Sequence, residues 1–121
     1  MNSLRILVVE DEPLIAMLLA DILVEMGHSV CAVEATETGA VAAATKYRPE
    51  MMIVDDGLIE GSGISAIERI LLSGFIPHVF VSGGTLGGER LSPRAVVLHK
   101  PFFEADLAGA IQKALEVVSD T

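Results

Sequence analysis

The chain has 121 residues, the size of one domain, and 51% of them are hydrophobic, which excludes a disordered tail. Its net charge of −9 argues against nucleic acid and against an anionic membrane surface, since both need a Lys/Arg footprint. The single cysteine, Cys31, excludes an internal disulfide and fits a reducing cytoplasm.

Leu4 to Val9 is an apolar run of strand length that ends at Glu10-Asp11, too short and too acidic at its end for a secretory leader. Pro13 to Met26 then carries apolar residues at 14, 15, 18, 19, 22, 23 and 26, a helical stripe closed by Gly27. Pro13 suits the first turn, where a missing N–H is no loss. Ser29 to Val33 reads as a short strand, and the alanine-rich Glu37 to Tyr47 as a helix. Met51 to Val54 is a third strand ending at Asp55, followed by a helix over Ile64 to Leu72. Val79 to Val81 and Ala95 to Leu98 are further strands, and Asp106 to Val118 is a last helix with Leu107, Ile111, Leu115 and Val118 in register. Asp21, Glu25 and the glycines interrupt the apolar stretches, so no membrane span is expected. There is no linker, repeat or low-complexity segment, and one domain over 1–121 with no output domain is expected.

Uninterrupted apolar strands alternating with helices indicate an α/β fold, a parallel sheet covered on both faces. Ligands of such sheets sit beyond the carboxyl ends of the strands. There the first strand delivers Glu10 and Asp11, the third Asp55 and Asp56, the fourth Ser82, and the fifth Lys100 followed by Pro101. Crowded carboxylates need a cation, and a few carboxylates with waters suit Mg²⁺. Mg²⁺ beside a lysine and a hydroxyl can neutralise phosphoryl oxygens, and an aspartate in that setting can act as nucleophile.

Val8-Val9-Glu10-Asp11-Glu12, Pro49 to Asp55, Gly63, Val81-Ser82 and Lys100-Pro101-Phe102 resemble the receiver domains of two-component response regulators. The resemblance covers essentially the whole chain. It implies a flavodoxin-like, doubly wound five-stranded parallel sheet in the order 2-1-3-4-5. It also implies a non-enzymatic signalling protein of the cytoplasm. Asp55 would accept a phosphoryl group from a sensor histidine kinase or histidine phosphotransfer protein. Ser82 and Lys100 would complete the catalytic set, and Glu10, Asp11, Asp55 and the Gly57 carbonyl would bind Mg²⁺. Output would pass to a downstream protein partner or by onward phosphotransfer. In this family the kinases dock beside the first helix and the loop after the fifth strand, here Leu14, Pro101, Phe102 and Phe103. Lys100-Pro101 is a candidate cis bond on the same ground.

The sequence departs from the family pattern in three places. Val97 takes the position of the usual switch aromatic. Asp56-Gly57 follows the acceptor where larger side chains are common. The stretch from Ser82 to Lys100 is short and rich in glycine, so the helix expected between the fourth and fifth strands would be short or irregular. Phe80-Val81-Ser82-Gly83-Gly84 partly resembles a subgroup with a Phe-Ala-Thr-Gly-like motif there.

Two other functions fit the sequence less well. A Mg²⁺-dependent aspartyl phosphatase needs a second acid two residues after the nucleophile, where Gly57 stands. A receiver-like binding module that is never phosphorylated would not need the complete acidic, hydroxyl and lysine set. The glycines after Ser82 lack phosphate-loop spacing, and Gly61-Ser62-Gly63 lacks the strand of a nucleophile elbow. His28, His78 and His99 have no zinc-ligand spacing with Cys31. Asp56 is expected to point away as a solvated turn residue, His28 to lie at the surface, Glu10 and Asp11 to cap the first helix as well as bind, and Cys31 and the methionines to belong to the core.

Overall fold

The computed structural model describes residues 3–84, 91 and 94–119. Among these, five strands and four helices follow in the order β1 (Arg5–Val9), α1 (Pro13–Glu25), β2 (Ser29–Glu34), α2 (Glu37–Tyr47), β3 (Met51–Asp55), α3 (Gly63–Leu71), β4 (His78–Ser82), β5 (Val96–His99) and α4 (Glu104–Ser119). All strands are parallel, in the order β2-β1-β3-β4-β5. This is the flavodoxin-like arrangement that the resemblance implied.

Alternation along the strands sends successive side chains to opposite faces. Ile6, Val8, Met51, Ile53, Val79, Val81 and Val96 pack beneath Leu19 and Leu23 of α1 and Leu107, Ile111 and Ala114 of α4. Leu7, Val9, Met52, Val54 and Phe80 pack beneath the alanines of α2 and Ala66, Ile67 and Ile70 of α3. The middle of each central strand is therefore apolar on both faces, because both are covered, and polar residues stand only at the strand ends. Cys31 packs at the margin of the second core. Val97, opposite Phe80 in the ladder, packs there too.

The helix ends explain where the elements stop. α1 closes in a Schellman turn: Gly27 has φ +97°, its N–H donates to Val24, and the His28 N–H donates to Leu23. Thr36 caps α2 through its side chain, and Ser62 caps α3. α4 begins at Glu104, two residues before the expected Asp106, because Asp106 Oδ2 accepts the Phe103 N–H at 2.8 Å. The helix expected between β4 and β5 falls on a stretch whose residues 85–90, 92 and 93 lie outside the described residues.

Three expectations are corrected. Met17 of α1 is 55% exposed, so not all the methionines belong to the core. His28 is buried, not at the surface, because the Leu4 N–H needs an acceptor and His28 Nδ1 supplies it at 3.1 Å. The first helix has no side-chain cap: its boundary residue is Glu12, whose side chain makes no capping bond. Glu10 contributes nearby only by accepting the Glu12 N–H at 3.0 Å.

Candidate functional site

The ladder register sets the site. Val9 pairs with Val54, so β1 and β3 end together, and Glu10 and Asp55 emerge side by side. Asp55 pairs with Val81, and Ser82 with His99, which brings Ser82 and Lys100 to the same edge. The Lys100 N–H donates to the Ser82 carbonyl at 2.8 Å, and the Lys100-Pro101 peptide is cis. Gly63 lets the first turn of α3 lie against the end of β3, because a Cβ there would collide with the Asp55 carbonyl.

Glu10, Asp11 and Asp55 each offer an oxygen within 4.8 Å of the others. Glu10 is buried. Its Oε2 accepts the Glu12 N–H, while Oε1 is buried and accepts no hydrogen bond from the described residues. A buried acceptor in that state costs about 1–3 kcal/mol, and a hard cation would satisfy it. Lys100 Nζ lies 3.4 Å from Asp55 Oδ2 and 3.8 Å from Glu10 Oε1. One ammonium thus faces a crowded set of carboxylates.

Crowding separates their proton affinities. Burial, then the neighbouring Asp55, pushes Glu10 up to about 7. Burial would raise Asp55 as well, but the proximity of Glu10, the Gly57 N–H, the neighbouring Asp56 and the charge of Lys100 outweigh it, and Asp55 is lowered. Asp55 therefore keeps its charge. The Gly57 N–H reaches Asp55 Oδ1 at 3.2 Å.

The expected residues Glu10, Asp11, Asp55, Ser82 and Lys100 converge, with Gly57 adjoining. The expectation for Asp56 is corrected. It turns inward, and Ser82 Oγ donates toward its Oδ2 at 3.2 Å. Burial, then Asp55 beside it, raises its pKa. Strand alternation predicts the opposite direction, but β3 stops at Asp55 and Asp56 already belongs to the turn. Two consecutive acids at a strand end were the available signal.

The chain matches the family model for the response regulator receiver domain over residues 6–112. It is 38% identical over 116 residues to the phyllosphere-induced regulator PhyR of Methylorubrum extorquens, covering 92% of this chain and 43% of that protein. The chain spans about half the length of the curated relatives it matches first. The receiver domain of Erythrobacter litoralis PhyR superposes with a TM-score of 0.85 at 36% identity, covering 96% of this chain and 92% of that one. SdrG from Sphingomonas melonis Fr1 superposes with a TM-score of 0.79 at 32% identity, covering 95% and 99%.

Proposed function

Since the chain belongs to the response regulator receiver domain family, we propose that it is a phosphoacceptor signalling domain in which Asp55 takes a phosphoryl group from a histidine kinase or histidine phosphotransfer protein. The observation that carries this reading is the convergence of the Glu10, Asp11 and Asp55 oxygens within 4.8 Å, with Lys100 Nζ 3.4 Å from the acceptor.

The donor set fits Mg²⁺. All its ligands are hard oxygens, and the buried Glu10 Oε1 has no hydrogen-bond donor. Glu10, Asp11, Asp55 and the Gly57 carbonyl would hold the ion, which would supply positive charge against the phosphoryl oxygens. An Asp55 carboxylate oxygen attacks phosphorus. The new P–O bond forms as the P–N bond to the donor's imidazole breaks, and the bonding pair leaves with the imidazole. With acetyl phosphate the broken bond is P–O, and acetate leaves. Lys100 balances charge on the acceptor side, and the Ser82 hydroxyl can donate to a phosphoryl oxygen. Output passes to a protein partner or by onward transfer, in the cytoplasm and without turnover of a small-molecule substrate.

Incubation with Mg²⁺ and acetyl phosphate, followed by intact-protein mass spectrometry, tests the reading. The expected result is the gain of one phosphoryl group, lost when Mg²⁺ is chelated. Folded protein that binds Mg²⁺ and gains nothing would favour a binding module that acts without phosphorylation.

A further inference from the structure

Ser82 has one hydroxyl proton, and more than one acceptor stands within its reach. Its Oγ lies 3.2 Å from Asp56 Oδ2 and 2.9 Å from the Gly84 carbonyl, and the Gly84 N–H points back to it at 3.3 Å. The residue is fully buried. Asp56 is fixed by its own backbone: its N–H donates to Val81 at 3.3 Å, and its carbonyl accepts from Gly63 at 3.2 Å. Its carboxylate is therefore held beside the hydroxyl by the turn between β3 and α3.

A hydroxyl donates one hydrogen bond at a time. To serve a phosphoryl oxygen on Asp55, Ser82 has to leave the acceptors it now faces. A carboxylate is a stronger acceptor than a carbonyl. We propose that Asp56 is a positioning residue that holds the Ser82 hydroxyl and competes with a phosphoryl oxygen on Asp55 for its single proton. The competition sets how readily Ser82 engages the phosphoryl group, and it comes from the residue next to the acceptor. This inference rests on the reading of Asp55 as acceptor.

Removing Asp56 also removes a negative charge, so charge and competition have to be separated. Beryllofluoride, a phosphoryl mimic, is titrated in the presence of Mg²⁺ against the wild type, Asp56→Ala, Asp56→Asn, Ser82→Ala and Asp56→Ala/Ser82→Ala, with amide resonances as the readout and thermal melts as a check on folding. The loss of charge acts in both serine and alanine backgrounds, whereas the competition needs the hydroxyl. Asp56→Ala is expected to tighten beryllofluoride binding roughly tenfold with Ser82 present and distinctly less with Ser82→Ala. Asp56→Asn keeps a weaker, neutral acceptor and is expected to fall between the wild type and Asp56→Ala, which keeps the test decisive if the alanine variant folds poorly. Equal effects in the two backgrounds, or no tightening by either variant, would overturn the proposal while leaving Asp55 as acceptor. No beryllofluoride binding by the wild type would overturn the acceptor reading itself, and this inference with it.

Discussion

Neighbouring groups hold the buried Asp55 carboxyl in its charged form, and on the proposed reading the consecutive Asp55 and Asp56 have different roles. Asp55→Asn is expected to abolish the phosphoryl mass gain, whereas Asp56→Asn retains it; a phosphorylated Asp55→Asn protein would move the acceptor. Asp11→Ala is expected to lose Mg²⁺ binding by titration calorimetry and to lose phosphoryl uptake, with its melting transition kept. Normal uptake by that variant would mean the acidic site is misassigned. Glu10, Asp11, Asp55, Ser82 and Lys100 were legible because each follows or ends an apolar run, and the ends of parallel strands share an edge. Asp56 and His28 were not. Asp56 lies one residue past the last ladder pair, where the period of two no longer fixes direction. His28 is drawn inward by the Leu4 N–H, a partner 24 positions away that no local pattern reveals.

Among the elements, the turn after β3 links the site to α2 and α3. Glu37, the first residue of α2, accepts from the Ser62 N–H at 3.1 Å, the Ser65 hydroxyl at 2.7 Å and Arg69 at 3.0 Å, so α2 is tied to the start of α3. Thr38 holds Glu60 in the same turn at 2.9 Å. The Ser65 hydroxyl, then Arg69 and the Ser62 N–H, lower the Glu37 pKa below its ordinary 4.5. A lowered carboxylate contributes stability that is complete above its unfolded pKa and lost as pH falls through the folded one. Glu37→Ala is therefore expected to melt below the wild type at pH 7, with the gap narrowing below pH 4.5. A gap that widened in acid would contradict the assignment. Gly63→Ala is expected to cost about 1–3 kcal/mol in denaturant unfolding and to slow phosphoryl uptake, because its Cβ meets the Asp55 backbone. Unchanged stability and uptake would mean that the turn yields freely. Element order was readable from periodicity, but this lattice was not, since it joins residues 22 to 32 positions apart.

Across the whole molecule, two cores on the two faces of one sheet hold the strand ends level, and that is what assembles a site from four strands. Beside it lie Phe103 and Leu14, 82% and 62% exposed, while Phe102 packs against the core of α1 and α4. We expect Phe103→Ala to slow phosphotransfer from a histidine kinase severalfold and to leave uptake from acetyl phosphate intact; equal losses with both donors would point to a folding defect. Among the described residues no helix is long and apolar enough to cross a membrane. On the proposed reading, phosphorus ends on a single carboxylate, that of Asp55. Phosphorylation with Mg²⁺ and acetyl phosphate, reduction of the acyl phosphate with borohydride and peptide mass spectrometry locate it directly. Asp55, and Asp55 alone, is expected to become homoserine; conversion of Asp56 or Asp11, or no conversion in folded, Mg²⁺-bound protein, would overturn the assignment.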